Sequence, residues 1–262
     1  MTLAYGVCVG PSGKFEQLAK PGIERVDPGA PLLARYDQRS IFEAYNSMID
    51  EAVALGASGL VLIHDDVVLR DLQLPSKLTA LFADPTIGIV GAIGAYGVKS
   101  LDWWLYDTHG WVEETEMVID HGRGTFDVDV VDGVLIAMSS IAMGQLRFDA
   151  GRFTGFHGYD SDIGMEARSA GLRVVVAELD VFHDSYPNGK ITDRPAWYRA
   201  DRIWRKKWCR TFADRVAYLR AVLTSGSLGP RGKLVRLSGP VAPWGYRFLA
   251  FVRTVKRKVN SK

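Results

Sequence analysis

The sequence predicts an α/β fold, with a mostly parallel central sheet flanked by helices and a basic helical C-terminal extension. Three observations carry that prediction. Gly59-Leu60-Val61-Leu62-Ile63 and Ile87-Gly88-Ile89-Val90-Gly91 are unbroken apolar runs, the pattern of strands buried on both faces of a parallel sheet. Segments of helical periodicity lie between such runs, so strand and helix alternate as in βαβ units. The charge also divides sharply. Residues 1–193 carry 14 Lys and Arg against 28 Asp and Glu, whereas residues 194–262 carry 18 against 2, a swing hidden in the net charge of +2.

In order, Leu3 to Val9 is the first predicted strand, ended by the turn-forming Gly10-Pro11-Ser12-Gly13. Residues 39–55 form an amphipathic helix with Ile41, Tyr45, Met48, Ile49, Ala52 and Val53 on its apolar face. The Gly59–Ile63 strand then runs straight into His64-Asp65-Asp66. A helix over about 74–83 precedes the strand at Ile87–Gly91. Residues 96–123, with Trp103, Trp104 and Trp111, lack clean periodicity and read as a long, partly ordered loop. Phe126, Val128 and Val130 alternate with Asp127 and Asp129 as a half-exposed strand, leading to Val131-Asp132-Gly133 and the apolar Val134–Ala137. Tyr159-Asp160-Ser161-Asp162 opens a short helix that ends before Gly171. A strand over Leu172–Ala177 and the segment Val181-Phe182-His183 follow. From Pro195 the chain is Trp- and Arg-rich helix. A last segment sets Phe248, Val252, Val255 and Val259 on one face among Arg253, Lys256, Arg257 and Lys258.

A chain of 262 residues that is 47% apolar can bury a large core, and no stretch approaches the ~20 apolar residues of a membrane span. The first residues lack a basic leader region, and Cys8 and Cys209 have no metal-ligand spacing to other Cys or His. Reduced thiols and a cytoplasmic setting are therefore expected, with the inner face of the cell membrane as a peripheral site. The basic extension calls for an anionic partner such as a membrane surface, for packing on the chain's own acidic body, or for a second copy of the chain. No nucleic-acid motif accompanies it, so nucleic acid is not an expected partner.

In open α/β sheets, ligands bind beyond the carboxyl ends of the strands. Polar clusters stand at such positions: Asn46, His64-Asp65-Asp66, Tyr159-Asp160-Ser161-Asp162 and His183. A divalent cation on a diphosphate needs few protein ligands, because phosphate oxygens and water complete its shell. One carboxylate of the first cluster and a distant His could supply them. A separate carboxylate would serve as general base, since a metal-bound carboxylate is a poor one.

These segments, in this order, resemble the family 2 glycosyltransferases of the GT-A fold, especially their glycosyltransferase-like bacterial branch. The matching stretches are Ala44–Ala52, Leu60–Val67, Val131–Leu135, Gly158–Ile163 running into Ala170–Val174, and Val181-Phe182-His183. The resemblance covers about residues 1–190 and implies a domain boundary near 193, before the extension. It implies that His64-Asp65-Asp66 stands at the metal-binding DxD motif. Asp66 would hold Mn2+ or Mg2+ on a nucleotide-diphosphate sugar, with His183 as a metal or diphosphate ligand. Asp65 falls near the ribose, and Asn46, His64 and Asp132 are placed with the donor-binding residues. Asp160 matches the base that deprotonates the acceptor hydroxyl for inverting displacement.

Three departures stand out. His64 replaces the first carboxylate of DxD, Tyr159 replaces the Glu of the usual Glu-Asp pair, and the nucleotide-reading Asp after the second strand has Asp27 as its nearest candidate. Plainer readings exist for several residues. Asp160 and Ser161 also suit a helix cap, Asp132-Gly133 a turn, and Asp162 a structural role. Trp103 and Trp104 suit either an acceptor-stacking platform or core. Trp204-Arg205-Lys206-Lys207-Trp208 suits an anionic-acceptor grip or a solvated basic face. The expected function is metal-dependent inverting transfer of a sugar to a glycan or lipid-linked glycan. The alternatives are a non-catalytic nucleotide- or glycan-binding module and a nucleotidyltransferase.

Overall fold

The computed structural model describes residues 2–185 and 193–237. Strand β1 (Leu3–Val9) leads through a π-helical turn at Phe15–Ala19 into α1 (Lys20–Val26) and β2 (Leu32–Tyr36). Next come α2 (Ile41–Ala54), β3 (Gly59–His64), β4 (Val67–Leu69), α3 (Leu74–Leu81), β5 (Ile87–Gly91) and β6 (Ile93–Tyr96). A single 3₁₀ turn at Trp103–Leu105 precedes β7 (Asp107–Glu114) and β8 (Val118–His121). Then follow β9 (Phe126–Val128), β10 (Val130–Val131), β11 (Leu135–Ser139), α4 (Ser140–Gln145), α5 (Tyr159–Ser169), β12 (Arg173–Val176) and β13 (Val181–His183). Helices α6 (Arg194–Trp208), α7 (Phe212–Thr224) and α8 (Pro230–Leu237) complete the described chain. None of these helices is long and apolar enough to cross a membrane.

Two sheets result. The first has the order β2-β1-β3-β11-β5-β12-β9, and five of its seven strands run one way while β11 and β9 oppose them. The second, of six strands, has the order β10-β6-β7-β13-β4 with β8 added on β7. The unbroken apolar run of β3 has its physical reason here. Leu60 to Ile63 are fully buried, and the strand is paired on both edges, with Ile63 opposite Val7 of β1 and Leu135 of β11. No position along it can hold a polar side chain until it ends.

The chain crosses between the sheets over very short links: Asp65-Asp66 from β3 to β4, Ala92 from β5 to β6, and Asp129 from β9 to β10. The last corrects the reading of Phe126–Val130 as one strand. Asp129 leaves the ladder and accepts the amides of Gly97 (2.7 Å) and Val98 (3.1 Å), with Arg168 on its other oxygen at 3.0 Å. Residues 96–123 are likewise no loop but largely the β7–β8 hairpin. Its exposed polar residues mask a period-2 pattern in which Gly110 and Val112 point inward. Gly110, at φ +103°, passes so close to β6 that a Cβ there would sit 2.2 Å from the Ala92 carbonyl oxygen. On α2 the buried face is as read except at Val53. That residue lies in the last turn and is 50% exposed, while Phe42 and Ala44 are buried instead.

Helix α6 is part of this core, with Trp197, Ala200 and Trp204 buried in the same cluster as the sheets. The basic run on it is pinned from within. Lys207 reaches Asp149 and Asp162 at 2.9 Å and Glu166 at 2.7 Å, and Trp208 donates to Asp162 at 2.8 Å. Arg205 pairs with Asp201 at 2.8 Å and Arg236 with Asp102 at 2.5 Å. This stretch thus compensates acidic residues of its own chain. The segment Phe248–Val259 lies outside the described residues.

The Lys207 ammonium is 7% exposed and stands among three carboxylates. Lys207→Met should therefore cost about 3 kcal/mol or more in urea unfolding at neutral pH. The deficit should shrink as acid protonates the carboxylates left behind.

Candidate active site

The carboxyl ends of β1, β2 and β3 open into one cavity of about 910 Å³. Cys8 to Pro11, Asp37, Gln38 and His64 to Asp66 line it from these strands. Asp132, Gly133 and the start of α5 line it from across, and Trp103, Trp104 and Trp197 form an aromatic wall. The parallel register sets His64 opposite Cys8 at the mouth. His64, the last residue of β3, and Asp65 and Asp66 after it are the first side chains free to be polar, and the fold delivers all three to the cavity.

Asp66 meets His183 here although 117 residues separate them. Its Oδ1 lies 3.3 Å from His183 Nε2, and its Oδ2 lies 3.7 Å from Lys14 Nζ. The other His183 nitrogen, Nδ1, faces Glu114 Oε1 at 3.3 Å. Backbone pairing holds these groups together: His183 sits opposite both Val67 and Glu114, and the Asp184 amide donates to the Asp66 carbonyl at 2.9 Å. Burial alone would lower the His183 pKa, but its hydrogen bonds to Asp66 and Glu114 push it up to about 10. Burial alone would likewise raise Asp66, yet His183, His64 and Lys14 hold its carboxyl below the usual range. His64 goes the other way, lowered by burial and by the charge of His183.

His64, Asp66 and His183 each offer a ligand atom, and these atoms lie within 4.8 Å of one another. The donor set of two imidazoles and a carboxylate suits a first-row transition-metal ion better than Mg2+, which prefers oxygen ligands. Ligation there requires His183 to be neutral. His64, expected among the donor-binding residues, thus stands beside the two expected metal ligands.

Two of the departures from the family pattern touch each other. The Tyr159 hydroxyl is hydrogen-bonded to His64 Nε2. Gly133 makes room for it, since a Cβ at that position would lie 1.9 Å from the Tyr159 oxygen. Next along α5, Asp160 faces the same cavity. Burial and the neighbouring Asp132 carboxylate push its pKa up to about 7, against backbone hydrogen bonds that include the 2.7 Å contact from the Ser161 amide. Asp132 lines the cavity while its Oδ1 accepts the Val134 amide at 2.9 Å, so the turn geometry and the position in the site coexist. Asp65 also lines the cavity and accepts the Gly10 amide at 2.8 Å.

Asn46 is not brought to this cavity. Its amide donates to the Phe148 carbonyl (2.9 Å) and accepts the Phe148 N–H (2.8 Å), a clamp between α2 and the segment after α4. The family resemblance alone places it among the donor-binding residues. Asp162 is buried on Lys207 and Trp208, away from the site. Asp27 accepts from the Tyr5 hydroxyl at 3.1 Å and does not line the cavity. Asp37 does, directly after β2, and it is the non-glycine residue with positive φ (52°) among those described. The β2 run Leu32-Leu33-Ala34-Arg35-Tyr36 was too short and polar to read as a strand, which hid Asp37. Glu114 was hidden in the unread hairpin. Tyr45 belongs to the core and borders the cavity, and its hydroxyl is buried with no hydrogen-bond partner among the described residues.

The order and direction of the strands make a GT-A-type α/β fold, and its strand ends gather a His–Asp–His cluster with a separate carboxylate, Asp160, in one cavity. Residues 32–210 match the profile described as "Glycosyltransferase like family". The streptomycin biosynthesis protein StrF of Streptomyces griseus is 36% identical over 221 residues, spanning 81% of this chain and 75% of that protein. The solved structure of GalNAc-T7 with UDP, GalNAc and Mn2+ aligns with a TM-score of 0.59 at 11% identity, covering 89% of this chain and 53% of that one. The chain belongs to the glycosyltransferase-like family.

If the His64–Asp66–His183 cluster holds a cation, Mn2+ should bind the protein measurably by calorimetry and release protons as His183 gives one up. Asp66→Asn and His183→Ala should each weaken that binding about tenfold or more. Asn46→Asp, outside the cavity, should leave it unchanged.

Proposed function

We propose that the protein is a cytoplasmic, metal-dependent, inverting glycosyltransferase. It moves a sugar from a nucleotide-diphosphate donor to a hydroxyl of a glycan or lipid-linked glycan. The observation that carries this reading is the division of labour in one cavity, with a cation-type cluster of His64, Asp66 and His183 and a separate carboxyl, Asp160, on α5. When bound, a divalent cation neutralises the charge that builds on the departing diphosphate. Asp66, His183 and His64 would hold it, with Glu114 orienting His183 through its second nitrogen.

Asp160 takes the proton of the acceptor hydroxyl as that oxygen bonds to the anomeric carbon and the bond to the diphosphate oxygen breaks. A pKa near 7 suits this task, because a base is best matched when it titrates near the working pH. Asp132 supports it by placing a like charge beside it. Asp37 takes the base-reading role after β2, and Asp65 lies toward the ribose. Trp103, Trp104 and Trp197 offer apolar faces for a sugar ring, their rings 6.0 to 6.5 Å apart in sequence along the wall. The buried Tyr45 hydroxyl, unpartnered among the described residues, would gain a partner if a bound nucleotide-sugar reached it.

Asp160→Asn should lower transfer by about 10³-fold or more while leaving nucleotide-sugar binding, read by calorimetry, nearly intact. In the unaltered enzyme, log kcat/KM should rise with pH below about 7 and level off above it, since the base works deprotonated. Asp132→Asn removes the like charge and should move that limb to lower pH. Full turnover by Asp160→Asn would sink the base assignment.

Tyr45→Phe supplies a second check. Removing an unsatisfied buried hydroxyl should leave stability unchanged or improved, whereas the donor KM should rise severalfold.

A further inference from the structure

Helices α6, α7 and α8 present a surface that the cavity chemistry does not use. On α7, Phe212, Val216, Leu219 and Leu223 recur at i, i+4, i+7 and i+11, which sets them on one stripe. The stripe points outward: Phe212 is 81% exposed and Leu223 57%, while Tyr218 and Val222 on the other side of the helix are buried. Arg215 and Arg220 project about 70° to either side of it, both exposed. On α6, the exposed Arg199, Arg202 and Lys206 fall at i, i+3 and i+7 and line, with Arg215 and Leu219, a second cavity of about 520 Å³. The two acidic residues of that cavity are already engaged, Asp201 by Arg205 at 2.8 Å and Asp214 by Lys99 at 3.1 Å. Its outer cations therefore find no acidic partner there.

Leu234 and Leu237 of α8 are exposed as well, and the chain continues from Leu237 into residues 238–262, which hold six Lys and Arg and no Asp or Glu. That continuation has the same sign of charge as the face, so it does not complement it. A second copy would set like charges against one another. An apolar stripe edged by guanidinium groups fits a surface that is anionic outside and apolar beneath, where long cationic side chains reach back to the headgroups.

We propose that the α6–α8 face docks on an anionic lipid bilayer. The α7 stripe enters the boundary between headgroups and acyl chains, and Arg202, Lys206, Arg215 and Arg220 take the lipid phosphates. Trp197, on α6, lines the active-site cavity, so the helix that meets the bilayer also borders the place where an acceptor would enter.

The test is co-sedimentation of the full chain with extruded vesicles at about 0.1 M salt, where surface charge still acts over roughly 10 Å. Vesicles of phosphatidylcholine with phosphatidylglycerol should capture the protein, and vesicles of phosphatidylcholine alone should not. Phe212→Ser with Leu223→Ser, and separately Arg202→Glu with Lys206→Glu, should each lower the partition coefficient by about tenfold or more. Phe212→Leu should keep binding, and unchanged thermal midpoints would show that the variants fold. The proposal is overturned if the anionic vesicles do not capture the protein or if both double variants bind as the parent does. It is also overturned if light scattering shows a dimer that the stripe variant dissolves.

Discussion

The site depends on the abruptness with which the chain leaves one sheet for the other. Strand β3 is paired on both edges and covered on both faces, so it carries no polar side chain before His64. Strand β4 begins at Val67 in the second sheet. Only Asp65 and Asp66 lie between. Their backbone is fixed at both ends by ladder hydrogen bonds, and their side chains have nowhere to go but the space where the two sheets diverge. Burying the four apolar residues Leu60–Ile63 contributes about 1.5–3 kcal/mol each, which anchors the link against the cost of holding carboxylates together.

Opposite charge is gathered at that link rather than spread along the surface. Asp66 has His183 and Lys14 within 4 Å, and Lys14 also donates to the Asp184 carbonyl at 2.6 Å. The same economy recurs below the site, where Lys207 neutralises three carboxylates. The lopsided charge of the two halves of the chain is thus partly an internal matter. Cations contributed after residue 193 settle on acids contributed before it, and the surplus stays on the outer faces of α6 and α7.

Much of this was legible in the sequence because the strongest signals are the ones physics makes least ambiguous. Doubly buried strands cannot hide, so β1, β3 and β5 were read to within a residue, and the polar cluster at the end of β3 with them. The half-exposed strands were not legible. β2 carries Arg35, and β7 mixes Glu, His and Thr with Gly110, because a half-solvated strand is free to be polar on one side. Asp37 and Glu114 went unread for that reason. Asn46 is a different case. Side-chain amides suit backbone clamps and ligands equally, and only the position of Phe148, 102 residues away, tells which. The contact of Tyr159 with His64 was equally out of reach, although each residue was conspicuous singly.

The cluster also straddles the two sheets. His64 closes a strand of the first, whereas His183 and Glu114 belong to the second. Its internal spacings are consequently a gauge of the angle between the sheets. Packing changes at the other crossings, Ala92 or Asp129, would tilt one sheet on the other and register at the cluster without touching any of its members. Mechanical stiffness of the core is then what keeps the three ligand atoms within reach of one another.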